Sequence, residues 1–101
     1  MDTKTLIAEA RARFNHNAAK AQLKDKYDGK LIVADQNGLW SANIETICAL
    51  EVFDNEFIVL IDNFNNPVRV NRSELLSKLK TTYTTVMEQW YKEWSDLEKK
   101  R

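Results

Sequence analysis

The fold is decided by residues 71–100, NRSELLSKLKTTYTTVMEQWYKEWSDLEKK. Asn71 and Glu74 have the spacing of a helix capping box, and no glycine or proline interrupts the sequence that follows. At ~100° per residue, five apolar residues lie within about 40° of Trp90 on a helical projection. They are Leu79, Tyr83, Val86, Trp94 and Leu97. The pattern predicts one long amphipathic helix over residues 72–100.

The length of this helix raises the question of what covers its stripe. It would run ~43 Å, whereas a compact domain of this size has a radius of gyration of only ~13 Å. Either the first helix packs antiparallel along it through Ile7, Phe14 and alanines, or the Met87–Leu97 end projects and binds another subunit or partner. Aromatic residues and methionine dominate protein interfaces. The candidate interface residues are Tyr83, Met87, Trp90, Tyr91 and Trp94.

The N-terminal segment from Thr3 to about Tyr27 is alanine-rich and helical in pattern. Five of its apolar residues fall in one narrow arc, namely Ile7, Ala10, Phe14, Ala18 and Ala21. The Asn15-His16-Asn17 cluster is a weak point, because asparagine competes for backbone hydrogen bonds. Gly29 is the expected stop.

Two hairpins are predicted between the helices. The apolar runs 31–34 and 39–42 are joined by Asp35-Gln36-Asn37-Gly38, in which Asn-Gly suits a tight turn. The runs 56–62 and 67–71 are separated by residues 63–66. Asn43 is a plausible N-cap for a short helix before the second hairpin, although residues 46–52 could also form a strand. The expected fold is α+β in the order αββαββα, with a small antiparallel sheet packed against both long helices in a single domain, 1–101.

The charge balance disfavours nucleic acid as a partner. The chain has 15 basic and 15 acidic residues and a net charge of zero. Residues 31–70 carry six acids against Arg69 alone, while residues 1–30 carry seven bases and four acids, a distribution suited to head-to-tail contacts or internal pairing. The candidate phosphate contacts of the alternative, nucleic-acid-binding interpretation lie on one face of the first helix: Arg13, Lys20 and Lys24.

The sequence offers little for catalysis. His16 is the only histidine and Cys48 the only cysteine, so a zinc site with four protein ligands is not expected, and apolar neighbours suggest that the Cys48 thiol is buried. The only glycines are Gly29 and Gly38, which excludes a glycine-rich phosphate loop. Residues 62–66 resemble a calcium loop, but Phe64 stands where an oxygen ligand is required. We expect no enzyme, metal or cofactor.

Four segments carry a resemblance: ARARFNHNAAKAQLKDKY, VADQNGLW, FIVLIDNFNNPVRVNR and TYTTVMEQWYKEW. Together they resemble a group of short proteins of unassigned function from large contractile-tailed phages, notably phages of marine cyanobacteria. The resemblance implies expression in the cytoplasm of a bacterial host and transfers no catalytic residue. Small phage proteins commonly assemble into virions or bind host factors. The sequence shows no signal peptide and no membrane span, so we expect a soluble protein inside the cell. The long amphipathic helix and its aromatic residues lead us to expect a non-enzymatic interaction protein that forms a homo-oligomer or binds a phage or host protein.

Overall fold

The computed structural model describes residues 3–99 and confirms the α+β class and the order αββαββα. The helices are α1 (Thr3–Lys30), α2 (Ile44–Val52) and α3 (Arg72–Lys99), and the strands are β1 (Ile32–Asp35), β2 (Gly38–Ser41), β3 (Phe57–Ile61) and β4 (Pro67–Asn71). The hairpins form two separate two-stranded antiparallel sheets, β1-β2 and β3-β4. The expected helix end at Lys100 lies outside the described residues.

The first helix is continuous and differs from the sequence expectation at two points. Asn15-His16-Asn17 does not break it, because His16 on this stretch is held by Glu98 of α3. Gly29 does not stop it either: α1 ends at Lys30, and neither glycine of the chain has a positive φ. The last turn is closed by the Leu31 amide, which donates to the carbonyls of Tyr27 (3.2 Å) and Asp28 (3.3 Å).

The first hairpin turns one residue earlier than the Asn-Gly signal suggested. Gln36 (φ 48°) and Asn37 (φ 63°) occupy the turn, with Asp35 paired to Gly38. Two positive φ angles are typical of the type I′ turn, whose twist matches that of the strands. Gly38 is therefore not the turn residue but the first residue of β2, where it lies against the Trp40 ring.

Two asparagines cap the second and third helices, as the sequence predicted. The Asn43 side chain accepts from the Thr46 amide (2.8 Å) at the start of α2, and the Asn71 side chain accepts from the Glu74 amide (3.0 Å) at the start of α3. The Asn71 amide itself donates to the Gln36 side chain (2.6 Å), not to Glu74 as in a full capping box. The turn of the first hairpin is thereby fastened to the start of α3.

A hydrophobic core joins the hairpins, α2 and the first half of α3 into what we call the head, residues 31–86. Its buried members are Val33, Trp40, Ala42, Ile47, Leu50, Val70, Leu75 and Leu79. Cys48 is exposed, so the prediction of a buried thiol was wrong. The reason is the phase of α2: Ile47 and Leu50 turn toward the core, and Cys48 falls on the outer side of this short helix.

The molecule is elongated. Its principal extents are 65 × 24 × 20 Å and its radius of gyration is 19.3 Å, against ~13 Å for a compact domain of this length. α1 together with residues 87–99 of α3 extends from the head, and we call this part the helical arm. No helix within residues 3–99 is long and apolar enough to cross a membrane.

Candidate protein interface on the helical arm

The two helices of the arm run antiparallel and are joined at two levels. Near the head, Tyr27 stacks on Trp90 with ring centroids 6.1 Å apart and planes within 6°. Toward the tip, His16 and Lys20 both contact the Glu98 carboxylate, at 3.1 and 3.2 Å. Residue numbers therefore run in opposite directions along α1 and α3, so the two helices are antiparallel, as in the first of the two alternatives drawn from the sequence.

Tyr27 is the central residue of the contact between α1 and α3 near the head. Its ring is buried, and the ammonium groups of Lys26 and Lys30 lie 5.1 and 4.8 Å from the ring centroid, within cation–π range. Its hydroxyl donates to Glu93 Oε1. This hydrogen bond to a carboxylate, with burial, raises the pKa of Tyr27 above its usual 10.0.

Two carboxylates of α3 hold α1 in place. Hydrogen bonds from Lys26 and Tyr27 lower the pKa of Glu93, and hydrogen bonds from His16 and Lys20 lower the pKa of Glu98. Depressed carboxyl pKa values mean that these contacts stabilise the folded arm above the unfolded glutamate pKa of ~4.3 and lose that effect as the pH falls through the folded values. The contacts of Glu93 and Glu98 with α1 are therefore expected to weaken in acid.

Replacing Glu93 by glutamine is expected to lower the pKa of Tyr27, because a neutral amide neither repels the phenolate nor accepts as strongly as a carboxylate. The raised pKa of Tyr27 stabilises the arm below pH ~10, and this contribution is lost as the pH rises through the folded value. Tyrosine absorbance during alkaline titration measures the shift. Exposed Glu88, changed to glutamine, is the control, and identical titrations of E93Q and wild type would contradict the assignment.

The apolar arc predicted on α1 does not face α3, which corrects the sequence interpretation. The seam against α3 uses residues at alternating spacings of four and three, namely His16, Lys20, Leu23 and Tyr27. At ~100° per residue, the arc centred on Phe14 points to the opposite side of the helix. Its five residues are all exposed, and Phe14 is 73% exposed. α1 packs on α3 through its polar face, because side chains on that face donate hydrogen bonds to the Glu93 and Glu98 carboxylates.

The first half of α1 also extends past Lys99, where the described part of α3 ends. His16 already contacts Glu98, one residue before the end of described α3 at Lys99. Residues 3–15 thus continue ~20 Å farther at 1.5 Å per residue, which accounts for the long axis of 65 Å. Leu6, Ile7 and Phe14 on this extension are exposed. In the antiparallel alternative, the part that had Ile7 and Phe14 cover the stripe of α3 is therefore wrong.

The five candidate interface residues separate into two groups. Tyr83 packs against the core of the head and Trp90 against Tyr27, so both are engaged within the chain, and Met87 is half-buried. Tyr91 is 65% exposed and Trp94 38% exposed, with their ring centroids 6.0 Å apart. Tyr91 and Trp94 form an aromatic rim along the open side of α3.

The three candidate phosphate contacts do not form a free cationic stripe. Lys20 pairs with Glu98 at 3.2 Å and Lys24 with Asp28 at 2.6 Å, while Arg13 is exposed on the extension. The hydrogen bond and charge of Asp28 raise the pKa of Lys24. Two of the three cations thus already have acidic partners, and this arrangement disfavours phosphate binding at this face.

A further apolar surface lies on the head and was missed from the sequence. The side chains of Phe57, Val59 and Ile61 share the outer face of β3 and are exposed, while Ile58 and Leu60 pack against the core. The sequence does contain a signal for this surface, because the five consecutive apolar residues of β3 are typical of a strand that is covered on both faces. Arg69 and Pro67 on β4 lie opposite Val59 and Ile61 in this face.

Comparison with known proteins adds no relative. No protein-family model, curated protein or solved structure matches the chain. Within residues 3–99, no group of three or more histidine, cysteine, aspartate or glutamate side chains could hold a metal ion. The groove between α1 and α3 has a volume of about 290 Å³ and is lined by Ala19, Leu23, Glu93, Asp96 and Leu97. Exposed apolar side chains, on the arm and on the outer face of β3, are the most distinctive chemical feature of residues 3–99.

Proposed function

We propose that this protein is a non-enzymatic interaction and assembly protein whose helical arm binds other protein surfaces, in the first place further copies of itself. The observation that carries the proposal is the arm: two long helices leave the head and present apolar side chains at their outer surfaces. Monomeric proteins rarely expose contiguous apolar patches unless the patch binds a partner. The aromatic rim, Tyr91 and Trp94, has the side chains that dominate such contacts.

The resemblance to proteins of contractile-tailed phages supports a setting for this activity. In that setting the protein would act in a bacterial host cell, as a component of the virion or of its assembly. Docking of the helical arm onto a phage or host protein is the second form of the proposed function. Nucleic-acid binding is not favoured, because Lys20 and Lys24 are paired with carboxylates.

Light scattering of the full chain, from micromolar to millimolar concentration, tests self-association. We expect the mass to rise with concentration and acrylamide quenching of Trp94 fluorescence to fall, because the exposed indole becomes covered. Trp40 is buried and Trp90 is stacked on Tyr27, so Trp94 should account for most of the change. The double variant Y91S/W94S should associate more weakly. A wild type that stays monomeric throughout, with unchanged quenching, would overturn the self-association proposed here.

A further inference from the structure

The outer stripe of α1 is an apolar helix face that points away from α3. We define it as Ile7, Ala10, Phe14, Ala18 and Ala21, all of them exposed. It spans ~21 Å of helix. It is separate from the aromatic rim, which belongs to α3.

We propose that the outer stripe is a homodimer interface, and that its occupant is the outer stripe of a second copy, antiparallel, with Phe14 at the two-fold axis. This inference rests on the proposed self-association, and it adds a contact on α1 that is separate from the aromatic rim. The dimer would place the helices in the order α3, α1, α1, α3 across the two arms.

The spacing of the stripe is its own complement. Counted from Phe14, the other members stand four and seven residues away in both directions, at Ala10 and Ala18 and at Ile7 and Ala21. In an antiparallel pair centred on Phe14, Ile7 of one copy lies beside Ala21 of the partner subunit, and Ala10 beside Ala18 of the partner subunit. In each of these pairs, an apolar side chain of one copy faces an apolar side chain of the other. A two-fold interface requires such self-complementarity.

The sizes of the side chains also fit. Helices approach closely where small residues meet, and alanine occupies the levels on both sides of Phe14. The four alanines nearest the axis leave room for the two phenyl rings, which can pack offset or edge to face. At the ends, bulky Ile7 meets small Ala21.

The charges at the ends of the stripe favour the same register. Asp25 lies on the face of the stripe at ~100° per residue, and in the antiparallel pair it comes next to Lys4 of the partner subunit, once at each end. Lys24, level with the same Lys4, lies on the opposite edge of the stripe and pairs with Asp28 of its own chain at 2.6 Å. The ends therefore bring opposite charges together.

Burial of the stripe would also support the helix extension. Most helical stability in proteins comes from packing of an apolar face, and a helix shorter than ~12–15 residues is marginal in water without it. Residues 3–15 extend past described α3, so a second α1 supplies the missing surface. A single helix pair is small for an interface, and we expect a reversible dimer.

Cysteine cross-linking tests the register on the full chain. In a C48S background, which removes the single exposed cysteine, F14C should form a disulfide-linked dimer under mild oxidation, because the two positions meet at the axis. I7C alone should not, since its two copies would be ~21 Å apart. A mixture of I7C and A21C proteins should cross-link. V59C, an equally apolar and exposed position on the head, is the matched control.

The outcomes separate this inference from the proposed function. Cross-linking of F14C and of the I7C and A21C mixture, well above V59C and retained when Y91S/W94S is added, supports the α1 dimer. An associating wild type in which F14C links no faster than V59C overturns the α1 dimer and leaves self-association standing. Equal linking of I7C alone and F14C overturns the antiparallel register. A strictly monomeric wild type overturns both proposals. Circular dichroism confirms that each variant keeps its helices.

Discussion

Replacing Gly38 by alanine is expected to destabilise the head by ~1–3 kcal/mol, the usual cost of inserting a methyl group into a packed core. A Cβ at position 38 would lie 2.5 Å from Trp40 Cζ2 and 2.8 Å from Cε2. The indole cannot move aside freely, since Trp40 is 2% exposed and its Nε1 donates to the Asp35 carbonyl at 2.8 Å. Urea unfolding followed by circular dichroism measures the loss.

Gly29 provides the matched control for this substitution. Nothing lies within 4 Å of a Cβ built at Gly29, which stands in the last turn of α1 with an ordinary φ. Alanine is favoured over glycine in a helix by about 0.5–1 kcal/mol, so G29A should be neutral or stabilising. If G38A and G29A unfolded at the same urea concentration, close packing of Trp40 on Gly38 would not be the reason for glycine at position 38.

The sequence predicted the elements of this fold because their signals are local. The caps at Asn43 and Asn71 are confirmed by hydrogen bonds to residues three positions later, and both hairpins form where apolar runs flank turn residues. The class and order of elements follow from such short-range chemistry. Contacts between elements leave weaker signals in the sequence. The prediction of which face of α1 packs on α3 concerns such a contact, and the structure contradicts it.

The face of α1 is the clearest case. Its sequence contains two candidate seams, the alanine-rich outer stripe and the more polar series through His16, Lys20, Leu23 and Tyr27. Apolar periodicity selects the first, but α3 packs on the second because Glu93 and Glu98 accept hydrogen bonds there. Those partners are 66 to 82 residues away along the chain. Only the combined geometry of both helices identifies them, and it leaves the outer stripe exposed.

Substitution of Asp62 by alanine is expected to weaken the junction between the two hairpins more than any other loss of a charged side chain in the head. The carboxylate accepts from three backbone amides: Phe64 at 3.0 Å, Asn66 at 3.0 Å and Leu39 at 3.1 Å. The first two form the loop after β3, and the third belongs to β2, so one side chain shapes a turn and ties it to the other hairpin. Asp62 is only 5% exposed, so alanine would leave these donors with little access to water.

The same contacts predict how stability depends on pH. Hydrogen bonds from the amides of Asn66, Leu39 and Phe64 lower the pKa of Asp62, although burial opposes the shift. A depressed folded pKa stabilises the protein above the unfolded aspartate value of ~3.9, and this contribution is lost as the pH falls through the folded value. Thermal melts of wild type, D62A and D62N at neutral pH and below pH ~4 should show a smaller acid effect in both variants.

Exposed Asp54 provides the control for these melts, and D54A should resemble wild type at every pH. D62N keeps one acceptor oxygen but turns an amide donor toward a second donor, so it should fall between wild type and D62A. Part of the acid sensitivity should remain in all variants, because Glu93 and Glu98 also have lowered pKa values in the arm. If D62A melted like D54A at neutral pH, the Asp62–Leu39 hydrogen bond would contribute little. The β1-β2 and β3-β4 hairpins would then be held together by their shared core, by the Gln36–Asn71 hydrogen bonds and by the hydrogen bonds that Asn63 donates to Leu39 and Ser41.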